Sequence, residues 1–349
     1  MRVAFHFFLS VVFVLGFSLS AAAEEAPKKK YKILFLTQSK GFVHGVVNRK
    51  TVGVLAPAEL GMTQVGKDSG LFDVECTQDA SIITPEKLKE LDMIFFYTTG
   101  SLPISEENMS AMMEWLKAGK AFGGVHSATD TLKGNKTYIE LINGNFDGHP
   151  WGSGTTVTIT NHEPAHPAVK MFEPEFQFKD EIYQYNSYDP KAVRVLLSLN
   201  MEKCNPKRPW MVPISWVREV GQGRLFYTNL GHNEQTWTAP KFQEHLLMGI
   251  RWALKLEQGS ATPNPEVQAE QENKAVAAAL PALKAPLTEL ATAGGGDADK
   301  LFASLEKWAK EDKPGMRKLV NDIDRVKGEK NAEKKKEAQT KLIAEISKK

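Results

Sequence analysis

Cysteine is almost missing. The 349 residues contain two, Cys76 and Cys204, far apart in the chain. Two thiols build neither a disulfide framework nor a cysteine zinc site, so neither kind of staple is expected. Beyond the N-terminus, no apolar run is long enough to cross a bilayer, so no membrane span is expected after processing. No internal repeat recurs, which excludes a solenoid or propeller. The formal net charge is only +2, and no nucleic-acid partner is expected.

The one strongly apolar run sits at the start. Arg2 precedes AFHFFLSVVFVLGF and then the small residues SLSAAA. That order describes a secretory signal peptide over 1–23, cut after Ala23, with a retained membrane anchor as the alternative. The expected location is periplasmic or secreted. The small net charge also hides an asymmetry. Residues 300–349 hold 15 Lys/Arg against 9 Asp/Glu, while the rest, Arg2 aside, holds 28 against 33. Such a tail can meet an anionic polymer, lipid or cell wall, or be a well-solvated face. The sequence leaves its partner unknown.

YKILFLT, MIFFYTT and AFGGVH are apolar with few polar interruptions, as strands buried on both faces are. Helical patterns separate them: one around 48–60, one in TPEKLKELD, and one in SEENMSAMMEWLKAGK, where Ser105 caps and Gly119 stops the helix. FDVECT reads as a strand nearer the edge. From residue 154 the texture alternates in TTVTIT, DEIYQYNSY, AVRVLLSL and PISWVREVGQGRLFYTNL, as antiparallel strands do, with GQG as a hairpin turn. FQEHLLMGIRWALKL closes the domain as an amphipathic helix. The expected fold is α/β, a mainly parallel sheet with added antiparallel strands. Residues 257–297, rich in Ala, Pro, Glu and Gly, read as a linker with a marginal helix, and 298–349 as a charged helical tail in which Leu301, Leu305 and Trp308 form an apolar stripe.

Ligands of parallel α/β sheets gather beyond the carboxyl ends of the strands. His44 follows the first strand, Thr98 and Thr99 end another, and His126 ends AFGGV. His232 ends RLFYTNLGH and joins them if that strand is parallel, and His149 in FDGHPW is a fourth candidate. Neutral imidazoles with a carboxylate suit a divalent metal such as zinc. Equally, one histidine can act as a base oriented by a carboxylate. Asp130, Asp147, Glu181 and Glu234 are the nearest acids by this map. Asp180, Glu181 and Tyr183 in DEIYQYNSY, Asn229 in FYTNLGH, and the rings of Trp151 and Trp237 add polar and aromatic groups suited to a carbohydrate.

GGVHSATDT has the form of a strand-to-helix elbow that usually displays a nucleophile. Together with GFVHG, YTTG, FDGHPW, AHPAV, DEIY, GRLFYTNLGHNEQTW and GIRWAL, over about residues 31–256, it resembles the ThuA-like (trehalose utilisation) family. The resemblance implies a class I glutamine amidotransferase-like fold with a flavodoxin-like doubly wound sheet. It also implies handling of trehalose or other disaccharides in oxidised keto form, with a divalent metal in some members. Carried over by position, His44, His126, Asp130, His149, Glu181 and His232 are its candidate site. True amidotransferases carry a cysteine at the elbow; His126 stands there instead, which excludes a glutaminase. One departure is Val212-Pro213, where many members carry His-Pro.

The leading expectation is an exported enzyme acting on a keto-disaccharide by metal- or histidine-assisted proton abstraction and bond cleavage. His126, His44, Glu181 and Asp130 are its catalytic candidates. Thr98, Thr99, Trp151, Tyr183, Asn229 and Trp237 are its substrate contacts, and His44, His126, His149 and His232 its metal ligands. A non-catalytic carbohydrate-binding module and a structural envelope protein are the rivals.

Overall fold

The computed structural model describes residues 30–311 and 313–347; the segment 1–23 read as a signal peptide lies outside them. Nine strands form one sheet: β1 (Tyr31–Leu36), β2 (Phe72–Thr77), β3 (Met93–Phe96), β4 (Ala121–Val125), β5 (Thr156–Asn161), β6 (Glu175–Lys179), β7 (Arg194–Leu199), β8 (Pro213–Val220) and β9 (Gly223–Thr228). Their order is β2-β1-β3-β4-β9-β8-β7-β5-β6. The first five run parallel, and from β9 to β6 each neighbour is antiparallel. The parallel half has the flavodoxin-like order of a doubly wound sheet.

Alternation along β1 shows why both faces are covered. Ile33 and Phe35 pack on one face with residues of α1 (Pro57–Ser69) and α6 (Pro240–Ala253). Leu34 and Leu36 pack on the other with α2 (Pro85–Glu90), α3 (Glu106–Lys117) and α4 (Lys136–Ile142). Ser105 accepts from Asn108 N at 3.1 Å and caps α3.

Three expectations need correcting. The helix placed around 48–60 begins only at Pro57, because proline sits at the first helical turn and the preceding residues are irregular. DEIYQYNSY is mostly a loop with a two-residue strand at Tyr185–Asn186. Its alternating side chains contact the site and the core instead of a sheet face. The stretch read as a linker carries the 30-residue helix α7 (Pro265–Gly294).

α7 is followed by α8 (Ala298–Glu311), α9 (Lys313–Gly328) and α10 (Ala332–Ser347). Leu287, Leu301, Leu305, Trp308, Val320 and Ile346 are buried among these helices, so the apolar stripe packs a small bundle. The bundle joins the antiparallel half of the sheet. Asn264 accepts from Val195 N at 2.9 Å and donates to Val195 O at 3.0 Å, mimicking one more strand residue. Arg208 pairs with Asp324, and the Arg317 guanidinium lies over the Trp210 ring and donates to Tyr185 O.

Candidate functional site

In register, Val125 at the end of β4 stands beside Thr228 at the end of β9. The two chains therefore leave the sheet side by side, one into His126 and the other into Asn229 and His232. His126 begins a tight 3₁₀ turn over His126–Asp130 with φ +46°, a left-handed conformation that costs about 1–3 kcal/mol for a non-glycine residue. Two bonds hold it there. His126 Nδ1 meets Asn229 O at 2.8 Å, and Tyr227 Oη donates to His126 O at 2.7 Å. With Nδ1 bonded to a carbonyl, the proton sits on Nδ1 and Nε2 is left as the lone-pair nitrogen.

That nitrogen faces a cluster. His126 Nε2 lies 3.2 Å from His232 Nδ1 and 3.5 Å from Glu181 Oε2, and His232 Nδ1 lies 3.0 Å from Glu181 Oε2. His44 completes the group, with one donor atom from each of the four residues within 4.8 Å of the others. His44 comes from the loop after β1, and its ring stacks edge-on against those of His126 and His232. Its Nε2 meets Tyr183 Oη at 3.0 Å, while its buried Nδ1 lacks a hydrogen-bond partner. The cluster reaches solvent through His232 and Glu181, whose side chains are 22% and 11% exposed.

Electrostatics suit a cation. Burial, helped by the neighbouring His126 and His232 rings, lowers the His44 pKa to about 2 and keeps that ring neutral. Burial alone would raise the Glu181 carboxyl, but the close His126 and His232 rings outweigh it and hold it below the ordinary carboxylate range. Three imidazoles and one carboxylate are a zinc-type donor set. The spacing agrees: atoms bound tetrahedrally at about 2.0–2.1 Å from a zinc ion stand about 3.3 Å apart, and three of the four here are 3.0, 3.2 and 3.5 Å apart. The bond from Nδ1 of His126 to a backbone carbonyl is the outer-shell partner that a metal-binding histidine needs.

Asp180 shapes the loop that delivers His232, a role its position beside Glu181 in the sequence did not reveal. Its buried carboxylate accepts from Gly231 N (2.7 Å), Asn233 N (2.9 Å) and Thr236 Oγ1 (3.1 Å). Burial pushes its pKa up, and the nearby His126 ring and these donors act against that rise. Gly231 has φ +121°, and a Cβ there would meet Val125 Cγ2 at 2.9 Å, so only glycine fits the turn.

The remaining candidates lie around the cluster or away from it. His149 stands apart from the four but reaches the other Glu181 oxygen at 3.4 Å, with its side chain 53% exposed at the mouth. Asn229 spends its amide on Tyr183 N and O; it positions Tyr183 and His126 and does not face the opening. Asp130 pairs with Lys133 at 2.5 Å, Asp147 lies in the neighbouring loop, and Glu234 starts the exposed turn of α5 (Glu234–Thr238). Thr98 and Thr99 are buried. The first bonds Thr131 Oγ1 and the second donates to Phe42 O, so their hydroxyls brace loops where substrate contacts were expected. Trp151 and Trp237 are core residues without a face for a ligand; Trp237 stacks on Tyr97 and donates to Gly231 O. Val212 is buried in the core, and the cluster assembles without a histidine at that position.

Residues 32–253 match the family model described as ThuA: Trehalose utilisation. No curated protein matches the chain. Among solved structures, a ThuA-like protein from Bacteroides uniformis ATCC 8492 superposes with a TM-score of 0.50 at 22% identity, covering 70% of this chain and 99% of its own. A second ThuA-like protein, from Parabacteroides merdae ATCC 43184, gives 0.51 at 16% identity, covering 69% and 99%. At these identities the likeness bears on the fold. The helices from α7 onward lie outside the matched residues.

Proposed function

This chain belongs to the ThuA family, described as trehalose utilisation and so tied to carbohydrates, and from that premise we propose an exported enzyme that cleaves an oxidised disaccharide. The reading rests on one observation: the triangle formed by His126 Nε2, His232 Nδ1 and Glu181 Oε2 at zinc-like spacing. His126, His232, Glu181 and His44 would hold a divalent metal such as zinc, whose contribution when bound is to polarise the keto oxygen of the sugar.

A keto group acidifies the C–H on the adjacent carbon. A base takes that proton, the electron pair forms a C=C bond, the glycosidic C–O bond breaks, and the departing oxygen takes up a proton. His149 is placed for the proton transfer: it is half-exposed at the mouth and oriented by the second oxygen of Glu181 at 3.4 Å. Asp130 holds Lys133, whose ammonium lies over the Phe146 ring. Tyr183 stays protonated, because burial and the Glu181 and Asp130 charges push its pKa up, and its hydroxyl orients His44.

Metal analysis of the purified protein, with turnover of a keto-disaccharide, tests this reading. One equivalent of metal is expected, lost in His126→Ala and His232→Ala together with product formation. Full turnover in both variants overturns it. Saccharide binding without product, in a metal-loaded sample, favours the binding-module alternative instead. Export is tested by the N-terminus of the mature protein, expected at Glu24.

A further inference from the structure

With Trp151 and Trp237 buried, the aromatic surface of the site must come from elsewhere. Phe42 is two positions from His44, its ring centroid 4.9 Å from the imidazole and its surface 66% exposed. A lone exposed phenylalanine means little by itself. This one is held in place by its backbone. Ser39 and Lys40 pair in parallel with Thr99 and Gly100. Thr99 Oγ1 donates to Phe42 O at 2.8 Å and accepts from Gly41 N at 3.3 Å. Gly100 lets the strands approach this closely: its φ is +75°, and a Cβ would meet Lys40 C at 2.5 Å. The buried threonine read as a substrate contact thus fixes the loop that presents Phe42.

We infer that Phe42 is the specificity-determining platform of this site, stacking on the second ring of a disaccharide whose first ring lies at the histidine cluster. The inference rests on the proposed carbohydrate function and names the part of the substrate that function leaves open. A rigid, solvent-facing aromatic face offers contact area to the apolar face of a pyranose at little ordering cost. On the other side of the His44–Tyr183 hydrogen bond, Phe146 packs on Tyr183 at 4.3 Å between ring centroids and near His149 at 6.0 Å. Its half-buried ring belongs to the wall of the site, which leaves Phe42 as the exposed platform.

Calorimetric titration of the metal-loaded protein with keto-trehalose and with keto-glucose tests this. Phe42→Ala is expected to weaken the disaccharide about tenfold and the monosaccharide less than about twofold, with Phe42→Trp restoring the disaccharide to within about threefold. Metal content should match the wild type in both variants, since Phe42 contributes no donor atom. Unchanged disaccharide affinity in Phe42→Ala, or equal weakening of both sugars, overturns the platform alone. A wild-type protein that binds neither sugar overturns the carbohydrate reading and the platform with it.

Discussion

His126 Nδ1 lies 2.8 Å from the carbonyl of Asn229, a bond between the ends of two adjacent parallel strands 103 residues apart in sequence. It decides which nitrogen of His126 faces Glu181 and His232. Asn229 in turn grips both the N–H and the C=O of Tyr183 through its amide.

Asn229→Ala should therefore loosen the cluster without removing a donor from it. Two buried backbone groups of Tyr183 lose their partners, at about 1–3 kcal/mol each. Metal affinity should fall by about 10–100-fold, as it does when outer-shell partners are lost. Thermal unfolding and competition against a chelator dye measure the two effects separately.

Metal removal should lower the melting temperature of the wild type. A ligand present at 100 times its dissociation constant stabilises the native state by about 2.7 kcal/mol. Treatment with a chelator should shift the wild type down and leave His232→Ala unmoved, because the triangle at 3.0–3.5 Å is broken in that variant. Equal shifts in both proteins would place the metal elsewhere.

Asp180→Ala removes the acceptor of Gly231 N, Asn233 N and Thr236 Oγ1 at once. A loss of about 3 kcal/mol or more is expected from several buried donors left unpaired. Asp180→Asn keeps the shape but turns an N–H toward a donor, so it should rescue only part of the stability. Denaturant titration distinguishes the two variants.

Acid should weaken the fold through a histidine far from the site. His245 is buried among Phe172, Phe226 and Phe242, and its Nδ1 meets Ala168 O at 2.6 Å. Burial lowers its pKa from 6.5 to about 4. The unfolded chain takes up the proton first, so this stability is fully present above pH 6.5 and is lost as pH falls toward about 4. The loss is on the order of 3 kcal/mol at 1.36 kcal/mol per unit. His245→Asn, which keeps an N–H at the Nδ1 position for Ala168 O, should unfold with a flatter pH dependence over that window.

Asn264→Ala tests how the tail is attached. Its amide holds Val195 N and Val195 O together, and its loss should cost about 1–3 kcal/mol. If the bundle supports the sheet, near-ultraviolet circular dichroism of Trp210 and Trp216 should change along with the helical signal.

Much of the parallel half was legible because its strands are buried on both faces. ILFL and MIFF need apolar side chains at every position, and Ser105 and Gly119 mark the limits of α3 through local hydrogen bonding and backbone preference. The site was legible as far as strand ends could carry it. His44, His126 and His232 each follow a parallel strand, and Glu181 stood out among acids near an aromatic loop. The tryptophans misled because an indole between polar residues reads alike whether it lies on a rim or is folded under one. α7 was hard to see because its alanine-rich, proline-containing stretch has only a weak apolar stripe; its partners lie on the sheet and in the last three helices.

By itself, the amino-acid order determined the local and the repetitive: the buried strands of the parallel half and the capped helix after them, that the sheet is wrapped on both faces, and that histidine stands at the elbow. Tertiary structure alone decided that β9 runs parallel beside β4, and so that His232 and His126 meet. It also decided which polar groups keep a lone pair for chemistry and which spend it on the protein. Strand pairing and hydrogen-bond saturation depend on groups brought together from a hundred residues away, and no local pattern of side chains encodes them.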